Sequence, residues 1–228
     1  MRVIRDYEFV EEIDKGSSVA IGNFDGVHLG HQSVIDIARK EAKAHQASLG
    51  ILTFEPHPRS YFAPQAPAFR LMGPEARETR LEKLGIDLLY EMNFNASLSE
   101  LTPEEFAQKI ICDGLALKHV VIGADFCFGK GRLGNVTDLQ RFGEEMGFGV
   151  TIAPLIAAGL SEVSSTSIRK ALYEGRPRDA ADQLGHWHRI EGPVIGGEQR
   201  GRDLGYPTAN MSMDGLHLPT LGVYAVLV

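Results

Sequence analysis

The chain predicts an α/β fold, a five-stranded parallel sheet covered by helices on both faces, followed by the start of a small antiparallel β-barrel domain. Two observations carry this. From residue 17 to about residue 175, short apolar runs alternate with helical patterns, and each run is too short and too closely bounded by Gly or Pro to be a buried helix. Parallel neighbours need long crossovers, which this alternation supplies. Beyond that point the alternation stops and glycine-punctuated, β-like segments take over.

Ser18–Ile21 is the first strand and ends at Gly22. His31–His45 follows as a helix, with Val34, Ile35, Ile37, Ala38 and Ala42 on one buried face. Ser48–Phe54 is the second strand, Pro74–Leu84 a charged helix stopped by Gly85, and Asp87–Met92 the third strand. Thr102, Pro103 and Glu105 make a capping box for a helix that ends near Gly114. His119–Ile122, a helix over Asn135–Met146, and Gly149–Ala153 complete the sheet. Ser164, Ser165 and Thr166 open another helix with Arg169 one turn in, and Arg176–Leu184 is a last short helix. Trp187–Ile195 and Gly222–Val228 read as strands, so the division falls between domains 1–182 and 183–228.

The 228 residues are 43% hydrophobic and 23% charged, which excludes a disordered chain. The net charge of −7, split as −6 before residue 183 and −1 after it, argues against a nucleic-acid partner. No apolar run is long enough to span a membrane, and the N-terminus MRVIRDYEFVEEIDKG carries acids where a signal peptide would be apolar. Two cysteines make no disulfide framework, so a cytoplasmic location is expected.

In a parallel sheet, ligands lie outside the carboxyl ends of the strands. Three loops qualify: Gly22–His31, Phe54–Phe62 and Gly123–Arg132. The first, GNFDGVHLGH, leads into a helix whose free N–H groups and positive dipole end attract an anion. Gly22, Gly26 and Gly30 let backbone approach that anion, and His28 and His31 can point at one phosphate. In the second loop Phe54 and Phe62, stiffened by Pro56 and Pro58, make a flat apolar wall, while His57 either reaches a phosphate or faces water. In the third, Phe126 and Phe128 alternate as strand residues do, with Asp125 at the strand end.

The HLGH string is the signature of the nucleotidyltransferase superfamily. The longer GNFDGVHLGHQ resembles the N-terminal domain of the prokaryotic bifunctional riboflavin kinase/FMN adenylyltransferases (FAD synthetases). TFEPHPRSYF, VIGADFCFGKGRLGN, VSSTSIRKAL and GRDLGYPTAN are similar to further segments of the same enzymes, in the same order. The resemblance implies a Rossmann-like nucleotidyltransferase domain that transfers AMP from ATP to FMN, giving FAD and pyrophosphate. A C-terminal kinase would convert riboflavin and ATP to FMN and ADP, with Mg²⁺ as cofactor. It implies His28 and His31 as catalytic residues, and Gly22, Asn23, Phe24, Asp25, Gly30, Ser165, Thr166 and Arg169 as the ATP site. It places Phe54, Pro56, His57, Pro58, Phe62, Asp125, Phe126 and Phe128 around the flavin. Thr208 and Asn210 would hold the Mg²⁺–ATP of the kinase. Partners are then nucleotides and flavins, with neither nucleic acid nor membrane among them.

The 46 residues from Gln183 to Val228 are close to the ~40 below which domains seldom fold without staples. The resemblance implies that the kinase domain continues past Val228 and carries its catalytic carboxylate there. Riboflavin, ATP and Mg²⁺ supplied to this 228-residue chain are therefore expected to give no FMN by chromatography. Steady FMN production would mean that a carboxylate within these residues serves as the base.

Overall fold

Six strands form one wholly parallel sheet: β1 (Arg2–Ile4), β2 (Ser18–Ile21), β3 (Leu49–Glu55), β4 (Leu88–Asn93), β5 (His119–Gly123) and β6 (Gly149–Ala153). Their order is β1-β4-β3-β2-β5-β6. The computed structural model describes residues 1–154, 157–158, 161–197, 205 and 208–227. The expected five strands become six because Arg2–Ile4 pairs with the outer edge of β4. Three residues flanked by charges are too few to show a strand period. After β2 the chain adds β3 and β4 on one side, then crosses to place β5 and β6 on the other. The switch point therefore lies between the carboxyl ends of β2 and β5.

Strand alternation sends Val19 and Ile21 to one face of the sheet and Ala20 to the other. On one face, α1 (Leu29–Ala44) and α3 (Pro74–Lys83) bury Ile35, Ala38 and Leu81 against Ala20, Ile51, Leu89 and Val121. On the other, α5 (Pro103–Phe106), its π-helical continuation Ala107–Gly114 and α6 (Val136–Met146) bury Phe106, Ile110, Leu139 and Phe142 against Val19, Leu52, Tyr90 and Met92. Two short helices, α2 (Pro58–Phe62) and α4 (Ala96–Ser99), follow the ends of β3 and β4. The Thr102–Glu105 capping box forms in both directions, at 3.1 and 3.0 Å. α1 starts two residues earlier than its apolar spacing predicts, because His28 and not Gly30 is its N-cap.

A two-residue antiparallel pair, β7 (Ala157–Ala158) and β8 (Ser161–Glu162), precedes α7 (Ser165–Tyr173) and α8 (Pro177–Leu184). Ile168, Leu172, Ala180 and Leu184 of these helices pack on Leu71. The next domain begins with a two-stranded antiparallel sheet, β9 (Val194–Ile195) and β10 (Asn210–Met211). Trp187–Pro193 is not strand, and neither is the described part of Gly222–Val228, with Val228 itself outside the described residues. Val223 and Leu227 are almost fully exposed, so this run has no neighbouring strand to cover it among the described residues. Among the described residues no helix is long and apolar enough to cross a membrane.

The carboxyl edge of the sheet holds a charge cluster. Arg77 of α3, only 1% exposed, bridges Glu55 of β3 at 3.1 Å and Glu91 of β4 at 2.7 Å. Arg70 clasps the same Glu55 in a bidentate pair, at 2.7 and 2.9 Å, and the guanidinium groups hold its carboxyl below the usual range against the opposing effect of burial. Without Arg77, the buried Glu91 would keep only the exposed Arg5, 3.1 Å away, as its charge partner. Arg77→Met is expected to lower the unfolding free energy by about 3–5 kcal/mol in urea titrations followed by circular dichroism. Adding Glu91→Leu should restore much of the loss. A single variant as stable as the wild type would mean that Arg5 alone is partner enough for Glu91.

Candidate active site

The loop after β2 is held by its own buried side chains. Phe24 (φ 51°) and Val27 (φ 43°) are left-handed although neither is glycine, and both are fully buried. Such conformations cost on the order of 1–3 kcal/mol each, offset here by that burial. Gly26 is also left-handed, and a Cβ there would stand 2.8 Å from Leu71. The Asn23 carbonyl accepts from Thr53 Oγ1 at 3.3 Å and from Arg77 at 3.4 Å. Asp25 accepts from the Leu71 N–H at 2.7 Å and pairs with Arg169 at 3.0 Å. Burial raises the Asp25 carboxyl, and the Leu71 N–H and Arg169 pull it back.

His28 caps α1: its Nδ1 accepts from the His31 N–H at 3.3 Å. The two rings stack with centroids 3.7 Å apart, and Phe24 tilts against His31 at 5.0 Å. Gly30 leaves room for this, since a Cβ would stand 3.1 Å from the His28 ring. Burial, with Arg169 adding repulsion, lowers His28 to about 4. Burial and then His28 hold His31 well below its ordinary value. Both rings are neutral at pH 7. The cap commits the Nδ1 lone pair of His28, so its proton sits on Nε2 and can be offered to an anion. The Nδ1 of His31 is buried with no hydrogen-bond partner among the described residues.

The N-terminus of α7 meets this loop. The Ser165 hydroxyl donates to the Asp25 carbonyl at 2.9 Å, and Arg169 donates to Thr166 Oγ1 at 3.1 Å as well as pairing with Asp25. The structure thus brings Gly22–His31 together with Ser165, Thr166 and Arg169. Four further residues, of which only Gln32 lies in a string the sequence singles out, support them. Phe69 accepts from Arg169 through its carbonyl, Leu71 docks Asp25, and Gln32 bridges the carbonyls of Val27 and Leu184, both at 2.9 Å. His186 approaches the Gly26 carbonyl at 3.1 Å.

The second loop is partly as expected. Phe62 is 67% exposed and packs edge-on against Tyr61 and Phe94, while Phe54 meets Phe94 at 5.8 Å. Tyr61 and Phe94 complete the wall. The strand-end rule that found Phe54 would have found Phe94, one residue beyond β4. A cis peptide precedes Pro56, and Pro58 is the first residue of α2. His57 does not face water: buried, it caps α2 by accepting from the Arg59 N–H at 3.0 Å. Its ring lies edge-on to Phe69, and burial with Arg70 and Arg77 lowers it to about 4.

In the third loop Phe126 and Phe128 stack at 5.5 Å, nearly parallel, without the expected strand: only Phe128 makes a bridge, to Gly134. Phe128 is buried against Phe106, Phe126 is half-buried, and Asp125 is exposed. Thr208 and Asn210 are exposed, Asn210 opening β10 opposite Ile195. Apart from Gly205, Thr208, Ala209 and Asn210, the GRDLGYPTAN segment lies outside the described residues.

Comparison with known proteins agrees with this architecture. The FAD synthetase family model matches residues 10–167, and the riboflavin kinase model matches residues 184–228. The chain is similar to the bifunctional riboflavin kinase/FMN adenylyltransferase of Listeria monocytogenes, 38% identical over 95% of this chain and 69% of that protein. It is similar to the Escherichia coli K12 protein of the same name at 33% identity, over 100% of this chain and 73% of that one. A crystal structure described as a macrolide-efflux protein from Streptococcus pneumoniae has a TM-score of 0.83 and 31% identity, over 98% of this chain and 72% of that chain. With a parallel sheet whose order switches between β2 and β5, and with these matches along its length, the chain belongs to the bifunctional riboflavin kinase/FMN adenylyltransferase family of flavin cofactor biosynthesis.

Proposed function

We propose that the loop after β2 and the start of α7 hold ATP, and that a phosphate oxygen of FMN attacks the α-phosphorus there while pyrophosphate leaves in line. The observation that carries this reading is the placement of two neutral stacked histidines at the N-terminus of α1, facing Arg169 and Ser165 across Asp25. A P–O bond forms and a P–O bond breaks, so the enzyme needs positioned charge and donors, with no nucleophile of its own. His28 offers its Nε2–H to the α-phosphate as negative charge builds there. Gly22, Asn23, Phe24, Asp25 and Gly30 shape the backbone around the nucleotide. Ser165, Thr166 and Arg169 receive the leaving phosphates, Arg169 exchanging its bond to Asp25 for one to phosphate. Phe54, Phe62, Phe126 and Phe128 face the flavin ring, with Pro56, His57 and Pro58 fixing the loop and Asp125 at its rim.

ATP brings Mg²⁺ on its own phosphate oxygens, and the ion supplies charge neutralisation on the departing pyrophosphate. In the kinase part, the Thr208 hydroxyl and Asn210 amide oxygen are exposed hard donors of the kind Mg²⁺–ATP takes. The proposed division is residues 1–182 for adenylyl transfer and 183–228 for the kinase part. The free Cys112 and Cys127 are consistent with work in the cytoplasm.

Asn can cap a helix as well as His does, yet it lacks the imidazole donor. His28→Asn is expected to keep the thermal midpoint while lowering FAD formation from FMN, ATP and Mg²⁺ by about 10²–10³. His28→Ala should lose the same rate and also roughly 0.5–2 kcal/mol of stability. Wild-type turnover in His28→Asn would remove this ring from the chemistry.

For the aromatic wall, Phe62→Ala should weaken FMN more than ATP in calorimetric titrations, by about 0.5–1.5 kcal/mol for lost stacking. Equal losses for the two ligands would assign Phe62 a structural role.

A further inference from the structure

At the amino edge of the sheet, far from the nucleotide loops, three ligating side chains converge. α1 runs antiparallel to the strands, so its C-terminal turn reaches the start of β5. There Glu41 Oε2 lies 3.8 Å from His45 Nε2 and 3.8 Å from His119 Nδ1. All three ligand atoms fall within 4.8 Å of one another. We propose that Glu41, His45 and His119 form a site for a late first-row divalent cation of the zinc class, pinning the end of α1 to β5 and β6.

Bonds of about 2.0–2.1 Å around a tetrahedral ion set its ligands about 3.3 Å apart, so small side-chain movements close the site. Two imidazoles and one carboxylate favour zinc, nickel or copper over Mg²⁺ or Ca²⁺, which prefer oxygen.

Two further features are arranged for such an ion. The other ring nitrogen of His119, Nε2, lies 2.8 Å from Thr151 Oγ1. With Nε2–H donated to that hydroxyl, the Nδ1 lone pair is left for a metal, the outer-shell pattern that metal-bound histidines show. Gly149 of β6, the register neighbour of His119, is also informative. A Cβ there would stand 2.2 Å from His119 Nδ1 and 2.7 Å from its Cε1, so glycine is what lets the His119 ring lie where it meets Glu41. His45 is exposed, leaving a side open for water as the fourth ligand. Lys118, the residue before His119, donates to the His45 carbonyl at 3.3 Å.

The test is titration of the full chain with Co²⁺ and Zn²⁺ in the presence of excess Mg²⁺. The wild type is expected to show cobalt d–d absorption that Zn²⁺ displaces and Mg²⁺ does not, and a thermal midpoint that rises with Zn²⁺. The single variants His45→Gln and Glu41→Gln, both at accessible helix positions, should lose the absorption and the rise. Thr151→Val should weaken Zn²⁺ by about 10–100-fold. The comparison isolates this site from the other histidines and does not depend on adenylyl transfer. No absorption in the wild type, or unchanged Zn²⁺ affinity in both helix variants, would overturn the proposal.

Discussion

Arg77 carries its charge into the carboxyl edge of the sheet, where water does not follow, and much of the site hangs on how that charge is met. Glu55 and Glu91 meet it from adjacent strands, and the Asn23 carbonyl meets it from the loop after β2. One guanidinium thereby fixes three strand ends relative to one another. Its planar fork suits this better than a lysine ammonium, which has no fixed directions. Arg70 extends the network from Glu55 towards the segment that docks Asp25. The loops at the carboxyl edge are thus set on a frame of paired charges, in which only the Nε atoms of Arg70 and Arg77 lack a hydrogen-bond partner among the described residues of that network.

The alternation of apolar runs with amphipathic segments was enough to read the parallel sheet, because a buried strand such as Val120–Ile122 can be little else. β1 was not legible, since three residues carry no period. The π-helical turn over Ala107–Gly114 was not either, since its apolar spacing is that of an ordinary helix. The glycines and histidines after β2 could be read from the sequence because chemistry demanded those residue types. Long-range partners could not. Nothing near Asp25 announces Leu71 or Arg169, which arrive from 46 and 144 residues away. His57 illustrates the limit: its pattern admits both phosphate contact and solvent, and only the fold shows it capping α2 beside Phe69.

Burial explains why the site gathers so many neutral imidazoles. His28, His31 and His57 all lie below their ordinary range because desolvation disfavours the cation. Positive character at the site then comes from Arg169 and from the ends of α1 and α7. On the proposed reading an anionic nucleotide would meet fixed dipoles and guanidinium groups, a field that hardly changes with pH near neutrality. That suits transfer between two polyanions, where excess fixed charge would hold the product as firmly as the substrate.

The left-handed Phe24 and Val27 bear on how this protein comes to be folded. A short peptide with the sequence of that loop has no reason to dwell in such a shape. The conformation becomes favourable only once α1 and the sheet are present to bury the two side chains in the cluster of Ala20, Ile35, Ile51 and Val121. The loop after β2 is therefore a late product of folding, assembled after the core that supports it. If it holds ATP as proposed, partly folded chains emerging from the ribosome would not sequester the nucleotide, and nucleotide affinity would report on complete tertiary structure.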